Sequence, residues 1–238
     1  SLVGSEMCIR DRKKECQGKK ALLIEGARRI GKSTICEEFG KSEYKSFLLI
    51  DFAKKDKEVE GYFEKYLNDL DTFFMLLQTH FGTKLTERNS LIIFDEVQMF
   101  PQARAAIKYL VADGRYDYIE TGSLISIREN VKNIVIPSEE RHINMYPLDF
   151  EEFAIALEED LLVEYIKKCF EKREPLERSM HNQAMLLFHQ YMLVGGMPMP
   201  VVTFIESKKD FTEADREKRD ILKLYRDCLL YTSPSPRD

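Results

Sequence analysis

The chain has 238 residues, of which 44% are hydrophobic and 32% charged, with a formal net charge of −5. This length suits an α/β domain with a smaller appendage and allows a substantial apolar core. The 11 glycines, 8 prolines and 5 cysteines exclude collagen-like, disordered and disulfide-scaffold proteins. No apolar run approaches the roughly 20 residues that span a bilayer, so we expect a cytoplasmic protein with no membrane partner. The negative charge does not indicate nucleic-acid binding, although a local basic patch is compatible with it.

Both ends of the chain resemble translated sequencing-library adapter. Residues 1–12 match such an adapter, and residues 228–238 match the same adapter read from the opposite strand. On this interpretation the biological sequence is about residues 13–227, an internal fragment of a longer protein; the alternative is a natural terminus and a Ser-Pro tail. Cys16, Cys36 and Cys169 then remain. Without a CxxC pair or histidines at ligand spacing, we expect them to be reduced thiols.

Apolar runs alternate with helical patterns over the first part of the chain. Strands are predicted at residues 21–25, 46–52, 91–94 and 116–120, with a weaker fifth within 133–136 or 143–146. Helices are predicted at residues 33–39, 59–70, 71–81 and 101–112. Strands joined by crossovers of helical length favour a parallel sheet with helices on both faces. Beyond residues 146–149 the pattern is helical alone, at residues 150–157, 161–170 and 183–194, which indicates a domain boundary.

The first predicted strand is followed by GARRIGKS, which satisfies the phosphate-loop pattern G-x-x-x-x-G-K-[ST], or Walker A. Its two glycines let the backbone wrap around a β-phosphate, and the N-terminus of the next helix adds partial positive charge. Lys32 is expected to reach the β- and γ-phosphates, and the Ser33 hydroxyl to coordinate Mg²⁺. We therefore predict that ATP is held by consecutive residues: Gly26, Ala27, Arg28, Arg29, Ile30, Gly31, Lys32, Ser33 and Thr34.

The third predicted strand ends in Asp95 and Glu96, the arrangement of a Walker B motif. A carboxylate at this position holds Mg²⁺ through water in phosphate-loop proteins, so Asp95 is the second predicted metal residue. Glu96 is placed to polarise a water for attack on the γ-phosphorus. The alternative is that the two acids cap the following helix. An adjacent glutamate favours hydrolysis over phosphotransfer to a small acceptor.

Two polar residues follow the fourth predicted strand and are candidates for a catalytic role. In the additional-strand class of phosphate-loop proteins, the strand beside the loop strand ends in a residue that senses the γ-phosphate or the attacking water. Thr121 or Ser123 could serve in this way, and a turn with a helix cap before Leu124 is an equal alternative. Asp51, after the second strand, either contacts the site or caps a turn.

Several sequence blocks resemble a bacterial and archaeal family of AAA-type ATP-binding proteins. The blocks are GARRIGKST, LIIFDEVQMFPQARAAIKYLVADGRYDYIETGSLISI, IPSEERHINMYPLDFEEF and YMLVGGMP. The resemblance implies an AAA-like ATP-binding domain of the additional-strand class at residues 13–147 and a helical region at residues 148–227. Members of this family typically continue into a C-terminal domain of unknown function with a nuclease-like fold, and we expect truncation to have removed it from this chain.

A homo-oligomer is compatible with the resemblance, and the sequence does not determine whether copies of the chain assemble. Arg128 and Arg141 lie where AAA-type proteins sometimes place an arginine finger, and an ordinary surface arginine is the alternative. The predicted function is Mg²⁺-dependent ATP hydrolysis. The alternative is a nucleotide-controlled switch that hydrolyses ATP very slowly and binds an unknown protein partner.

Overall fold

A computed structural model of the chain describes residues 19–123 and 140–232. The strands are β1 (Ala21–Gly26), β2 (Ser46–Asp51), β3 (Ser90–Asp95), β4 (Asp117–Ser123) and β5 (Glu140–Met145). The helices are α1 (Lys32–Glu43), α2 (Lys57–Lys65), α3 (Leu70–Phe81), α4 (Pro101–Asp113), α5 (Phe150–Ala156), α6 (Asp160–Lys172), α7 (Arg178–Val194), α8 (Pro198–Glu206) and α9 (Phe211–Thr232). Within these described residues, every helix is too short or too polar to cross a lipid bilayer.

The chain divides into two compact units between Tyr146 and Pro147. The first unit contains the five strands, which form one parallel sheet in the order β2-β3-β4-β1-β5. In the second unit the described elements are all helices. Because β4 is inserted between β1 and β3, the predicted α/β phosphate-loop fold of the additional-strand class is confirmed.

Helices cover both faces of this sheet, as the continuous apolar runs of its strands require. Along β3, Ile92 and Phe94 join a large core cluster that also contains residues of α2, α3 and α4. Leu91 and Ile93 are equally buried and point to the opposite face, because side chains alternate along a strand. The buried residues of α1, among them Phe39, lie outside the large cluster, so α1 covers the second face.

An aromatic cluster fixes the segments on either side of the C-terminal ends of β2 and β3. Phe63 of α2 lies at its centre, and its ring centroid is 5.0–5.8 Å from those of Phe52, Phe73, Phe94 and Phe100. Aromatic pairs at this spacing stabilise a core beyond the burial of their area. The cluster therefore anchors Phe94, directly before the two acidic residues, and Phe100, four residues after them.

Several predicted boundaries differ from the structure. The fourth strand continues to Ser123 and does not end at Glu120. The helix predicted at residues 59–70 ends at Lys65, because the Asp69 side chain caps the N-terminus of α3 by accepting a hydrogen bond from the Thr72 amide at 3.2 Å. The fifth strand overlaps the second of its predicted ranges, and residues 133–136 lie outside the described residues.

Two smaller expectations also meet the structure. The second strand stops at Asp51, whose carboxylate accepts a hydrogen bond from the Ala53 amide at 3.0 Å and so caps a short 3₁₀ turn. Of the two predicted alternatives for Asp51, the structure therefore shows the one in which it caps a turn. Cys36 and Cys169 are buried free thiols, while Cys16 lies outside the described residues.

The first helix of the second unit begins with a reciprocal capping box. The Asp149 carboxylate accepts from the Glu152 amide at 2.9 Å, and the Glu152 carboxylate accepts from the Asp149 amide at 3.2 Å. Two otherwise unsatisfied donors of the first turn are thereby paired.

Asp149→Ala is expected to destabilise the helical unit by about 1 kcal/mol, because it removes the cap of α5. Urea unfolding followed by circular dichroism measures this change. Asp160→Ala is the matched control: Asp160 is the first residue of α6 and its side chain accepts no hydrogen bond from the described residues, so we expect less than about 0.5 kcal/mol. Equal effects of the two substitutions would contradict the capping assignment.

The turn after α7 requires both of its glycines. Gly195 has φ 80° and ψ −176°, a conformation open essentially to glycine alone. A Cβ on Gly196 would lie 2.0 Å from the Leu148 carbonyl oxygen. The Leu148 amide donates to the Gly196 carbonyl at 2.7 Å, and the Tyr191 hydroxyl donates to the Leu148 carbonyl at 2.9 Å. The start of the helical unit is thus pinned to the end of α7.

Candidate nucleotide-binding site

The loop between β1 and α1 depends on two glycines for different reasons. Gly31 has φ 86°, in the left-handed region that favours glycine, and Arg29 also has a left-handed φ of 61°. At Gly26 the limit is space, since a Cβ would lie 2.4 Å from Ile30 Cδ1 and 2.5 Å from the Met145 carbonyl oxygen. The loop therefore turns tightly against the end of β5.

The N-terminus of α1 faces the loop without a side-chain cap. Gly31 is the N-cap residue, and the first turn of the helix contains no acidic residue. The first amides of a helix have no partner within the helix, and together they carry partial positive charge. These two properties make a helix N-terminus suitable for binding phosphate. Ser33 is partly exposed and Thr34 exposed at this end of the helix.

Lys32 is buried beneath the loop. Its Nζ donates to the Ala27 carbonyl at 2.8 Å and to the Gly26 carbonyl at 3.3 Å. Burial lowers the pKa of Lys32 below its usual value, and the negative charges of Glu96 and Asp95 partly offset that effect. The ammonium group is thus held close to the backbone of the loop and near both predicted carboxylates.

Asp95 connects the loop to the neighbouring strands. Ser33 Oγ lies 2.8 Å from each of the Asp95 carboxylate oxygens. The Thr121 hydroxyl of β4 also donates to Asp95 Oδ1, and Thr121 is completely buried. The Asp95 carboxylate therefore accepts hydrogen bonds from one hydroxyl group of the phosphate loop and one of β4.

Glu96 has an unusual backbone and is held at two points. Its φ of 52° and ψ of 46° are left-handed, a conformation that costs a residue with a Cβ about 1 kcal/mol or more. Its backbone amide donates to Thr121 Oγ1 at 3.2 Å. Its side-chain Oε2 accepts a hydrogen bond from the side-chain amide of Gln98. Thr121 thus contacts both acidic residues, one through the side chain and the other through the backbone.

The structure brings the predicted loop, both acids and Thr121 together at the C-terminal ends of three strands. The loop strand β1 and the carboxylate strand β3 are not adjacent, because β4 lies between them. The alternative in which Thr121 and Ser123 form a turn is wrong, since both are strand residues of β4. Ser123 is buried and lies in register with Gly26, next to the loop.

The two candidate arginine fingers have different outcomes. Arg141 is exposed near the start of β5 and pairs in register with Leu22, at the end of the sheet away from Gly26. Arg128 lies outside the described residues. A role for either in a neighbouring copy stays a prediction.

Gln98 is the residue of this site that sequence reasoning missed. It is only 2% exposed, although it follows the acids in a short connection where a polar side chain ordinarily faces solvent. The available signal was its place as the single polar residue between Glu96 and Phe100.

The residues at this edge fit Mg²⁺ as part of a shared coordination shell. Ser33 and Asp95 offer the oxygen ligands that Mg²⁺ prefers. Among the described residues, no group of three or more histidine, cysteine, aspartate or glutamate side chains could hold a metal by itself. The remaining ligands would have to be phosphate oxygens and water, as is usual for Mg²⁺ bound with a nucleotide.

Comparisons with known proteins identify similar solved structures and a matching family. Two solved structures to which the chain shows similarity are PCH-2 of C. elegans and the ORC1 protein of Aeropyrum pernix in complex with DNA. The first is 11% identical with a TM-score of 0.41 and is matched over 91% of this chain and 65% of that one. The second is 9% identical with a TM-score of 0.38, over 80% of this chain and 66% of that one.

The chain thus spans about two thirds of each of these two structures. Their identities and TM-scores are too low to carry over partners or activities. No curated protein matches the sequence closely enough to count as a relative. The family model described as AAA domain matches residues 18–154, more than half of the chain. The chain therefore belongs to the AAA domain family of phosphate-loop ATP-binding proteins.

Proposed function

We propose that this chain binds ATP together with Mg²⁺ and hydrolyses the γ-phosphate. The observation that carries the proposal is the contact of Ser33 Oγ with both carboxylate oxygens of Asp95. These residues are 62 positions apart in sequence, and their contact places the phosphate loop against the acidic end of β3. A hydroxyl and a carboxylate paired at a helix N-terminus suit the binding of a metal-bound triphosphate. A loop that only connects a strand to a helix does not require this pairing.

Each residue has a proposed task in binding. The loop amides of residues 26–33 and the uncapped N-terminus of α1 hold the phosphate oxygens. Lys32 exchanges its two carbonyl contacts for the β- and γ-phosphates, where a positive charge is worth more than at a neutral carbonyl. Ser33 and Asp95 hold Mg²⁺, which when bound neutralises developing charge on the phosphate oxygens.

The proposed chemical step depends on Glu96. A carboxylate beside the attacking water accepts its proton while the water attacks the γ-phosphorus in line, and ADP departs. The two hydrogen bonds to Glu96 keep its backbone and side chain in a fixed place. Because reacting groups that are held in position need no reorganisation during the reaction, this rigidity favours turnover.

The proposal extends to the organisation of the chain. Residues 13–147 form the ATP-binding domain and residues 148–227 a helical region that accompanies it. A protein partner, a homo-oligomer and a cytoplasmic location are also part of this proposal.

The full chain can be tested with γ-labelled ATP. With Mg²⁺ present we expect the label to appear as free phosphate, and with EDTA in place of Mg²⁺ we expect release to fall to background, since Ser33 and Asp95 would lack their metal. Calorimetry measures nucleotide binding in the same samples. Binding with no release above background would favour the nucleotide-controlled switch, label on another acceptor would favour phosphotransfer, and absence of binding would contradict the proposal altogether.

A further inference from the structure

We infer that Gln98 is a positioning residue for hydrolysis: its amide holds the Glu96 carboxylate through Oε2 so that Oε1 faces the attacking water. This inference rests on the proposed function, because it concerns the proposed water activator. Gln98 itself need not touch the nucleotide or the reacting atoms.

The backbone after β3 makes the contact between Glu96 and Gln98 possible. Side chains two residues apart do not face one another on a regular helix. Here Glu96 is left-handed and serves as the N-cap of a 3₁₀ turn at Val97–Met99, in which the Met99 amide donates to the Glu96 carbonyl at 2.9 Å. This tight reversal directs the Gln98 side chain back to the Glu96 carboxylate.

Burial fixes the Gln98 amide in this place. Gln98 is 2% exposed, and Val97 directly before it and Phe100 two residues after it are also buried. Phe100 in turn packs in the aromatic cluster, with its ring centroid 5.8 Å from that of Phe63. A buried amide of this kind has little rotamer freedom left to lose, so it constrains Glu96 before any nucleotide arrives.

The pattern of hydrogen bonds divides the Glu96 side chain into a held oxygen and an available one. Oε2 accepts from Gln98, while Oε1 accepts no hydrogen bond from the residues that the structure describes. The backbone of Glu96 is fixed separately by Thr121. Loss of the Gln98 amide would therefore release the side chain of Glu96 and leave its backbone and the phosphate loop as they are.

A group that orients the water activator contributes to the chemical step and not to ground-state binding. Gln98→Met keeps the length of the side chain and removes the donor. We expect it to lower kcat about 10-fold or more, with the KM for ATP and the calorimetric affinity within about twofold of the wild type. Gln102→Met is the matched control, because Gln102 is exposed on α4 and the same change there should alter neither value.

A double-mutant cycle with Glu96→Gln separates positioning from a general structural effect. If Gln98 acts through Glu96, Gln98→Met should add no further loss to Glu96→Gln in single-turnover hydrolysis of γ-labelled ATP. If Gln98→Met does not fold, Gln98→Asn gives the same test, because its shorter side chain withdraws the donor and keeps the amide.

The outcomes distinguish this inference from the proposed function. Three results would overturn the role of Gln98 and leave Glu96 as the activator. The first is an unchanged kcat in Gln98→Met, and the second is a loss of kcat/KM in that variant that comes entirely from a rise in KM. The third is a loss of activity in Gln98→Met that adds fully to the loss in Glu96→Gln. Unchanged hydrolysis in Glu96→Gln itself would remove the activator, and the inference about Gln98 with it.

Discussion

Lys32→Ala is expected to lower the affinity of the chain for ATP by about 100-fold or more. The buried ammonium of Lys32 hydrogen-bonds the loop backbone directly, where the phosphates are proposed to bind. Hydrogen bonds to charged groups contribute about 1.5–3 kcal/mol, and the upper value corresponds to about two orders of magnitude in the dissociation constant. Calorimetry with ATP and Mg²⁺ measures the change directly.

Lys41→Ala is the matched control for this loss. Lys41 lies in the same helix, α1, but it is exposed and pairs with Glu38 at 2.7 Å. Removing it takes one positive charge from the chain without touching the loop, so the affinity for ATP should stay within about twofold. An equal loss in both variants would mean that net charge and not the position of Lys32 governs binding.

Glu96→Gln is expected to retain nucleotide binding and to lower turnover by about 100- to 1,000-fold. The substitution is nearly isosteric, keeps an oxygen that can accept from Gln98, and removes the basic carboxylate. General-base catalysis typically contributes 10²- to 10⁴-fold, so the loss should appear in kcat. Steady-state phosphate release together with calorimetry separates turnover from binding.

Glu64→Gln serves as the control for Glu96→Gln, since Glu64 is exposed on α2 and the change in charge is the same. Its turnover should match the wild type. Hydrolysis by Glu96→Gln at the wild-type rate would show that another group activates the water, even if binding depends on Lys32 as proposed.

The parts of the site that could be predicted from sequence are those in which function depends on a local pattern. The loop glycines, Lys32 and Ser33 follow one another in eight residues, and Asp95 directly follows an apolar strand. Their contact could be anticipated because the C-terminal ends of parallel strands share one edge of a sheet. The insertion of β4 followed from the class of phosphate-loop protein and not from periodicity.

The remaining features depend on tertiary contacts that no local pattern encodes. Thr121, Gly122 and Ser123 resemble a turn in composition, yet they continue β4 because they pair in register with the last three residues of β1. The apolar spacing runs on past Lys65, so the cap at Asp69 was not evident from periodicity. The orientation of Gln98 depends on the left-handed backbone of the residue two positions earlier, which sequence alone does not reveal.

The insertion of β4 between the loop strand and the carboxylate strand ties ligand recognition to the assembly of the sheet. A partly folded chain in which only β1 and α1 have formed contains the loop but has no Asp95 beside Ser33. A ligand that needs both halves can bind only after β1, β3 and β4 have joined, and it then adds RT ln(1 + [L]/Kd) to the stability of that state. The proposed nucleotide and metal should therefore protect completely folded molecules from proteolysis and leave partly assembled ones unprotected.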